Sequence, residues 1–162
     1  MKLFSQKMTE SHATEILNWQ YPPPYDMYNQ EVTQAGIEEH LNQSYKAIVD
    51  QNNNLIGFYC TGQPAQVPKG HEFNVYEKSC LDLGLGMKPE LTGKGLGREF
   101  LAFILAELDV DSLRLTVAKF NQRAIRLYEA FEFKRADMFT NGEVEFITMI
   151  RKRRGLCIVT IN

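Results

Sequence analysis

The sequence predicts an α/β or α+β sandwich, with seven strands and four helices in the order βααβββαβαββ and helices on both sheet faces. Three observations carry this. Apolar residues alternate with period two in short runs, as at Leu81, Leu83, Leu85 and Met87. Others recur at helical spacing, as at Ala124, Leu127, Tyr128 and Phe131. Clusters of Pro, Gly and Asn separate the two patterns. With 162 residues, residues 1–162 are expected to form a single domain large enough to bury a core.

Taken in order, Lys2–Met8 is a first strand, and Thr9 or Ser11 can cap a helix carrying Ile16, Leu17 and Trp19. Tyr21-Pro22-Pro23-Pro24-Tyr25 breaks that helix, because proline lacks the amide donor and fixes φ. A second helix spans Thr33 to Asn42, with Ile37 and Leu41 on one face. Tyr45–Asp50 and Leu55–Thr61 flank an Asn-rich turn and read as a hairpin. Thr61–Ser79 is a long loop, and loops of that length in a compact domain are usually functional or mobile. Cys80–Met87 is a strand. A helix marked by Leu96, Phe100, Phe103 and Ile104 ends near Leu108, and Leu113, Leu115 and Val117 alternate in the next strand. The Ala124–Phe131 stripe is the last helix, and strands near Phe133–Phe139 and Val144–Arg151 close the sheet.

Composition narrows the function. With 44% hydrophobic and 23% charged residues the chain is an ordinary globular protein. A formal net charge of −2 argues against a nucleic-acid surface, which needs a clustered basic excess. No window reaches the ~18 apolar residues of a membrane span, and the first residues lack the apolar core of a signal peptide. Cys60, Cys80 and Cys157 form no close pair, and His12, His40 and His71 are scattered, so neither a disulfide framework nor a metal site is expected. A reducing cytoplasm is the simplest location.

The strongest local signal is Pro89-Glu90-Leu91-Thr92-Gly93-Lys94-Gly95-Leu96-Gly97, between a predicted strand and a predicted helix. Alternate glycines let the backbone turn sharply and gather amide N–H groups, and the helix start adds partial positive charge. Such a junction suits an anion, and Lys94 and Arg98 add cations. A phosphate-gripping lysine loop needs a different spacing, as does the dinucleotide fingerprint. A glycine-rich turn that merely connects strand to helix is the bland alternative, and plain turns seldom need three alternate glycines.

Leu85-x-Met87-x-Pro89-x-x-Thr92-Gly93-x-Gly95-x-Gly97 resembles the acyl-CoA signature of the GCN5-related N-acetyltransferase (GNAT) superfamily. The block Asn121–Phe133, with Ala124 and Leu127-Tyr128, resembles the superfamily's other motif. The two stand in the right order, and the succession of elements extends the likeness over nearly the whole chain. Two positions depart from the pattern: Thr92 stands where Arg or Gln is usual, and Glu132 where glycine is usual.

The resemblance implies a mixed, mostly antiparallel sheet of about seven strands flanked by four helices. It also implies transfer of an acetyl group from acetyl-CoA to a primary amine, by direct attack in a ternary complex. Leu85 and Met87 would supply main-chain contacts to the pantetheine arm. The amides of Thr92, Gly93, Lys94, Gly95 and Gly97, with Arg98, would hold the pyrophosphate, and Asn121 would lie near the pantetheine. Tyr128 falls at the position beside the departing sulfur, although as part of an apolar stripe it would also suit plain core. For the general base the sequence offers Asp82 on the strand leading into the site, then Glu72 and Glu77 in the loop before it. The acceptor would be a small-molecule or peptide amine. Monomer and homodimer both stay open. The same fold could also retain acyl-CoA as a sensor without turnover.

Weaker signals remain. Trp19, Tyr21, Tyr25 and Tyr28 cluster at the proline run, in the region that the superfamily uses as its acceptor-side wall. The basic run Arg151–Arg154 reads as a solvated terminus, and the apolar segment Gly155–Asn162 receives no assignment.

Overall fold

The computed structural model describes residues 1–153, so Arg154, Cys157 and the rest of the apolar tail lie outside the described residues. Its strands are β1 (Leu3–Lys7), β2 (Tyr45–Asp50), β3 (Leu55–Thr61), β4 (Leu81–Met87), β5 (Ser112–Ala118), β6 (Lys134–Asn141) and β7 (Val144–Lys152). The helices are α1 (Glu10–Leu17), α2 (Gln34–His40), α3 (Gly97–Glu107) and α4 (Gln122–Ala130). One sheet runs β1-β2-β3-β4-β5-β7-β6, antiparallel at every step except between β4 and β5. The order of elements and the mixed, mostly antiparallel sheet agree with the sequence reading.

Local chemistry sets the boundaries. Thr9 caps α1: its Oγ1 accepts from the His12 amide at 3.1 Å, while His12 Nδ1 accepts from the Thr9 amide at 3.3 Å. Helix α1 stops at Leu17, so Trp19 lies just past its end. Thr33 caps α2 in the same way, accepting from the Gly36 amide at 3.0 Å. The β2–β3 turn closes on Asp50, whose Oδ1 accepts from the amides of Asn52 and Asn54 at 2.9 and 3.0 Å. Asn53 there takes the left-handed φ of 64° that asparagine tolerates.

Two cores lie on opposite faces of the sheet. Ala13, Ile16 and Leu17 of α1 and Ile37 of α2 pack on Ala47, Val49 and Cys60. Phe100 and Ile104 of α3 and Ile125 of α4 pack on Ile48, Tyr59, Leu83 and Leu115. Neighbouring strand residues serve opposite cores, as the pleat requires. No helix among the described residues is long and apolar enough to cross a membrane.

Candidate active site

The feature that positions the site is a fork in the sheet. Strands β4 and β5 pair in parallel only at Leu81–Leu113 and Asp82–Arg114, and then diverge. The rest of β4 keeps its partner on the other side: Lys88 N–H donates to the Ile56 carbonyl at 2.8 Å, and Gly62 N–H to the Asp82 carbonyl at 2.9 Å. Along a strand, successive residues direct their backbone groups to opposite edges. Those two bonds therefore turn Asp82, Gly84 and Gly86 toward β3. Leu85 and Met87 present amide and carbonyl to the fork, where no strand of the described residues pairs with them. The Met87 carbonyl accepts from the Tyr21 hydroxyl at 2.7 Å, and burial pushes that phenol up to about 12.

The fork opens into a cavity of about 610 Å³, within the ordinary size range of small-molecule sites. Leu85 and Met87 line it, as do Thr92, Gly93, Gly95, Gly97, Arg98, Asn121 and Tyr128. Lys94 is exposed and Asp82 buried; neither side chain belongs to the wall.

At one end stands the glycine loop. Gly93 and Gly95 have φ of 72° and 79°, a region that side chains disfavour. A Cβ on Gly93 would stand 3.1 Å from Nη1 of Arg123, and one on Gly97 would stand 3.1 Å from Cδ2 of Leu127. A side chain at either glycine would require Arg123 or Leu127 of α4 to give way by a few tenths of an ångström. Gly97 opens α3, so the loop amides and the positive helix end face the same space. Thr92 turns its hydroxyl inward to the Pro89 carbonyl at 2.7 Å, leaving main-chain groups and arginines for an anion. The sequence reading missed two of those arginines. Arg123 and Arg126 lie three apart on α4, a spacing that puts both on one helical face, and both line the cavity.

Asn121 caps α4, its Oδ1 accepting from the Ala124 amide at 3.2 Å while its Nδ2 donates to the Tyr28 hydroxyl at 3.4 Å. Tyr128, about two turns on, is fixed by the helix end. The Phe133 amide donates to the Tyr128 carbonyl at 3.1 Å and the Glu132 amide to the Glu129 carbonyl at 3.0 Å, the paired bonds of a Schellman ending. The Phe133 ring meets Tyr128 edge-on at 6.0 Å. Burial, with Tyr28 nearby, holds the Tyr128 phenol well above its usual range, so it is a hydrogen-bond donor throughout the neutral range.

Opposite lies the aromatic wall of Trp19, Tyr21, Tyr25 and Tyr28. The Trp19 Nε1–H is buried with no hydrogen-bond partner among the described residues. Asp82 is set apart from this group. Its Oδ1 accepts from Arg114 Nε at 2.7 Å and its Oδ2 from Arg114 Nη2 and Gln66 Nε2, both at 2.8 Å. Glu72 is exposed and pairs with Lys69, and Glu77 is exposed. The wall of the large cavity contains no carboxylate and no histidine among the described residues.

The open β4 edge, the glycine loop and the half-buried Tyr128 in one cavity suit a long, phosphorylated thioester. Comparison with known proteins agrees. A model of the Acetyltransferase (GNAT) family matches residues 12–133. The acetyltransferase PseH of Campylobacter jejuni is 28% identical over 134 residues, covering 79% of this chain and 82% of that protein. A spermidine N-acetyltransferase SpeG chimera from Vibrio cholerae and hSSAT shares the fold, with a TM-score of 0.71 at 20% identity over 94% of this chain and 96% of the other. So does an aminoglycoside acetyltransferase in complex with coenzyme A, with a TM-score of 0.64 at 18% identity over 94% and 95% of the two chains. The chain belongs to the GNAT acetyltransferase family and is an acyltransferase with acetyl-CoA as its cosubstrate.

Proposed function

We propose that the protein, as one domain, transfers the acetyl group of acetyl-CoA to a primary amine by direct attack while both substrates are bound. The observation that carries this is the convergence of the open Leu85–Met87 edge, the glycine loop and Tyr128 on a single cavity. The free amide of Leu85 or Met87 pairs with the pantetheine and stabilises the oxyanion. The amides of Thr92, Gly93, Lys94, Gly95 and Gly97, together with Arg98 and Arg123, hold the pyrophosphate. Asn121 sets the start of α4. Tyr128 donates a hydrogen bond to the departing sulfur; with its phenol held above an ordinary value of about 10 it does not hand its proton to a thiolate of about 8.5. Asp82, saturated by Arg114 and Gln66, holds the β4–β5 vertex and takes no part in the chemistry.

The acceptor is a small-molecule amine, by analogy with the spermidine and aminoglycoside enzymes that share the fold. Thiol release from acetyl-CoA, followed over spermidine, ribostamycin, lysyl peptides and amino sugars, tests this reading. Release with at least one amine is expected. Stabilisation by acetyl-CoA in thermal unfolding without release from any amine would point instead to a sensor of the same fold.

A further inference from the structure

A second, smaller cavity of about 320 Å³ lies on the α1–α2 face of β4 and shares Gln30, Phe58 and Leu85 with the large one. It carries the carboxylate, imidazole and thiol that the large cavity lacks, in Glu39, His40 and Cys60, together with Tyr45. We propose that His40 is the proton acceptor for the attacking amine, which reaches the thioester from this cavity past Leu85; this rests on the acyl-transfer reading above.

The geometry of His40 supports the assignment. The side chain is 4% exposed, at the last residue of α2. Its Nδ1 lies 2.8 Å from the Gly36 carbonyl, which only accepts, so Nδ1 carries the hydrogen. In the neutral ring Nε2 then holds a lone pair, and no other group of the described residues bonds to it. The Tyr45 and Phe58 rings, at 4.7 and 5.8 Å, fix the plane. Such a buried, oriented and half-satisfied imidazole is what proton abstraction needs. The closest surroundings do not compete. Burial pushes the Cys60 thiol up to about 11 and the Tyr45 phenol well above its usual range, so both stay protonated near neutrality. Glu39 is exposed and meets the Tyr45 hydroxyl, which places a negative charge at the mouth to attract an ammonium ion.

The ammonium group gives one proton to His40 Nε2, which later passes it to solvent. The freed lone pair forms the C–N bond to the acetyl carbon, the C–S bond breaks, and the second N–H proton leaves with the sulfur as thiol. Tyr128 stabilises the sulfur by a hydrogen bond while the bond breaks.

The test uses the full-length protein and whichever amine of the panel above gives thiol release. His40→Asn keeps a donor for the Gly36 carbonyl and removes the base. It is expected to lower kcat/KM for the amine about 100-fold, with the acetyl-CoA KM unchanged. The acidic limb of the pH profile should move to higher pH, activity recovering only as rising pH supplies free amine. Glu39→Gln should raise the amine KM and leave that limb in place. In the wild-type protein, labelled with 15N-histidine, the His40 Nε2 resonance should move when the amine is added with CoA, a readout that survives if the variant does not fold. An unmoved resonance, an unchanged acidic limb in His40→Asn, or the same displacement in Glu39→Gln would each overturn the assignment while leaving acyl transfer intact. Should no amine release thiol, both readings fall together.

Discussion

Asp82 and Arg114 meet across the parallel β4–β5 step of the sheet, joined by two hydrogen bonds of 2.7 and 2.8 Å at the point where the strands begin to part. Their side chains are 5% and 2% exposed. Arg114 also donates to the Lys78 carbonyl at 2.8 Å and lies over the Tyr76 ring at 5.1 Å. The bond to Asp82 holds the guanidinium pKa above its usual value despite burial. Paired at the vertex, they tie the last joined residues of two strands that must separate for the cavity to exist.

Removing one partner leaves a buried charge uncompensated. Asp82→Asn is therefore expected to cost about 3–5 kcal/mol of stability, a fall in melting temperature of about 10 °C. Any protein that remains folded should keep the pH profile of the wild type. A thermally normal variant with an altered profile would return Asp82 to the chemistry.

This pair also marks where the sequence stops being legible. Strand and helix order followed from short-range periodicity, and β2 and β3 were readable to the residue because an Asp-Asn turn separates two apolar runs. The glycine loop was readable because its conformation demands glycines at Gly93 and Gly95. Asp82, in contrast, looks like any strand carboxylate until Arg114, 32 residues later, is placed beside it. His40 gives no sign either. Its role depends on a cavity whose other walls come from β2, β3, β4 and two loops, and its sequence neighbours carry only the helix pattern. The Ala124–Phe131 stripe missed Ile125, the residue of α4 buried deepest, because Ala124 and Leu127 face the cleft and loop rather than the sheet.

Gly93→Ala tests the loop. A left-handed φ costs an L-residue about 1–2 kcal/mol, and the new Cβ must push Arg123 from a 3.1 Å approach. The loop is exposed, so the fold should hold. Calorimetry should show CoA binding weakened about tenfold. Unchanged affinity would remove this segment from the pyrophosphate site.

Tyr128→Phe separates packing from chemistry, since the ring and its contact with Phe133 are kept. A fall in kcat of about 100-fold is expected, with the acetyl-CoA KM unaltered. The sign of the pH effect follows from the phenol. Its pKa is raised, so the hydroxyl keeps its proton below the ordinary tyrosine range and loses it only at still higher pH. The ratio of wild-type to variant rate should therefore be flat between pH 6 and 9. A ratio that titrates in that window would mean Tyr128 transfers its proton, and equal rates would remove it from the mechanism.

Glu132 supplies the last test, because it occupies a glycine conformation without being glycine. Its φ of 69° is the left-handed step of the α4 ending, and the bonds from the Glu132 and Phe133 amides both require it. Glycine adopts that φ without the Cβ penalty but gives the unfolded chain more freedom. The penalty of about 1–2 kcal/mol is the larger of the two effects, so Glu132→Gly should gain roughly 1 kcal/mol, or about 2–4 °C in melting temperature. Because the same bonds hold Tyr128, turnover should stay within about twofold of the wild type if the helix end keeps its geometry. A less stable variant would show that the contacts of the Glu132 side chain outweigh its backbone strain. A stable variant with slow turnover would show that the strained ending itself sets the position of Tyr128.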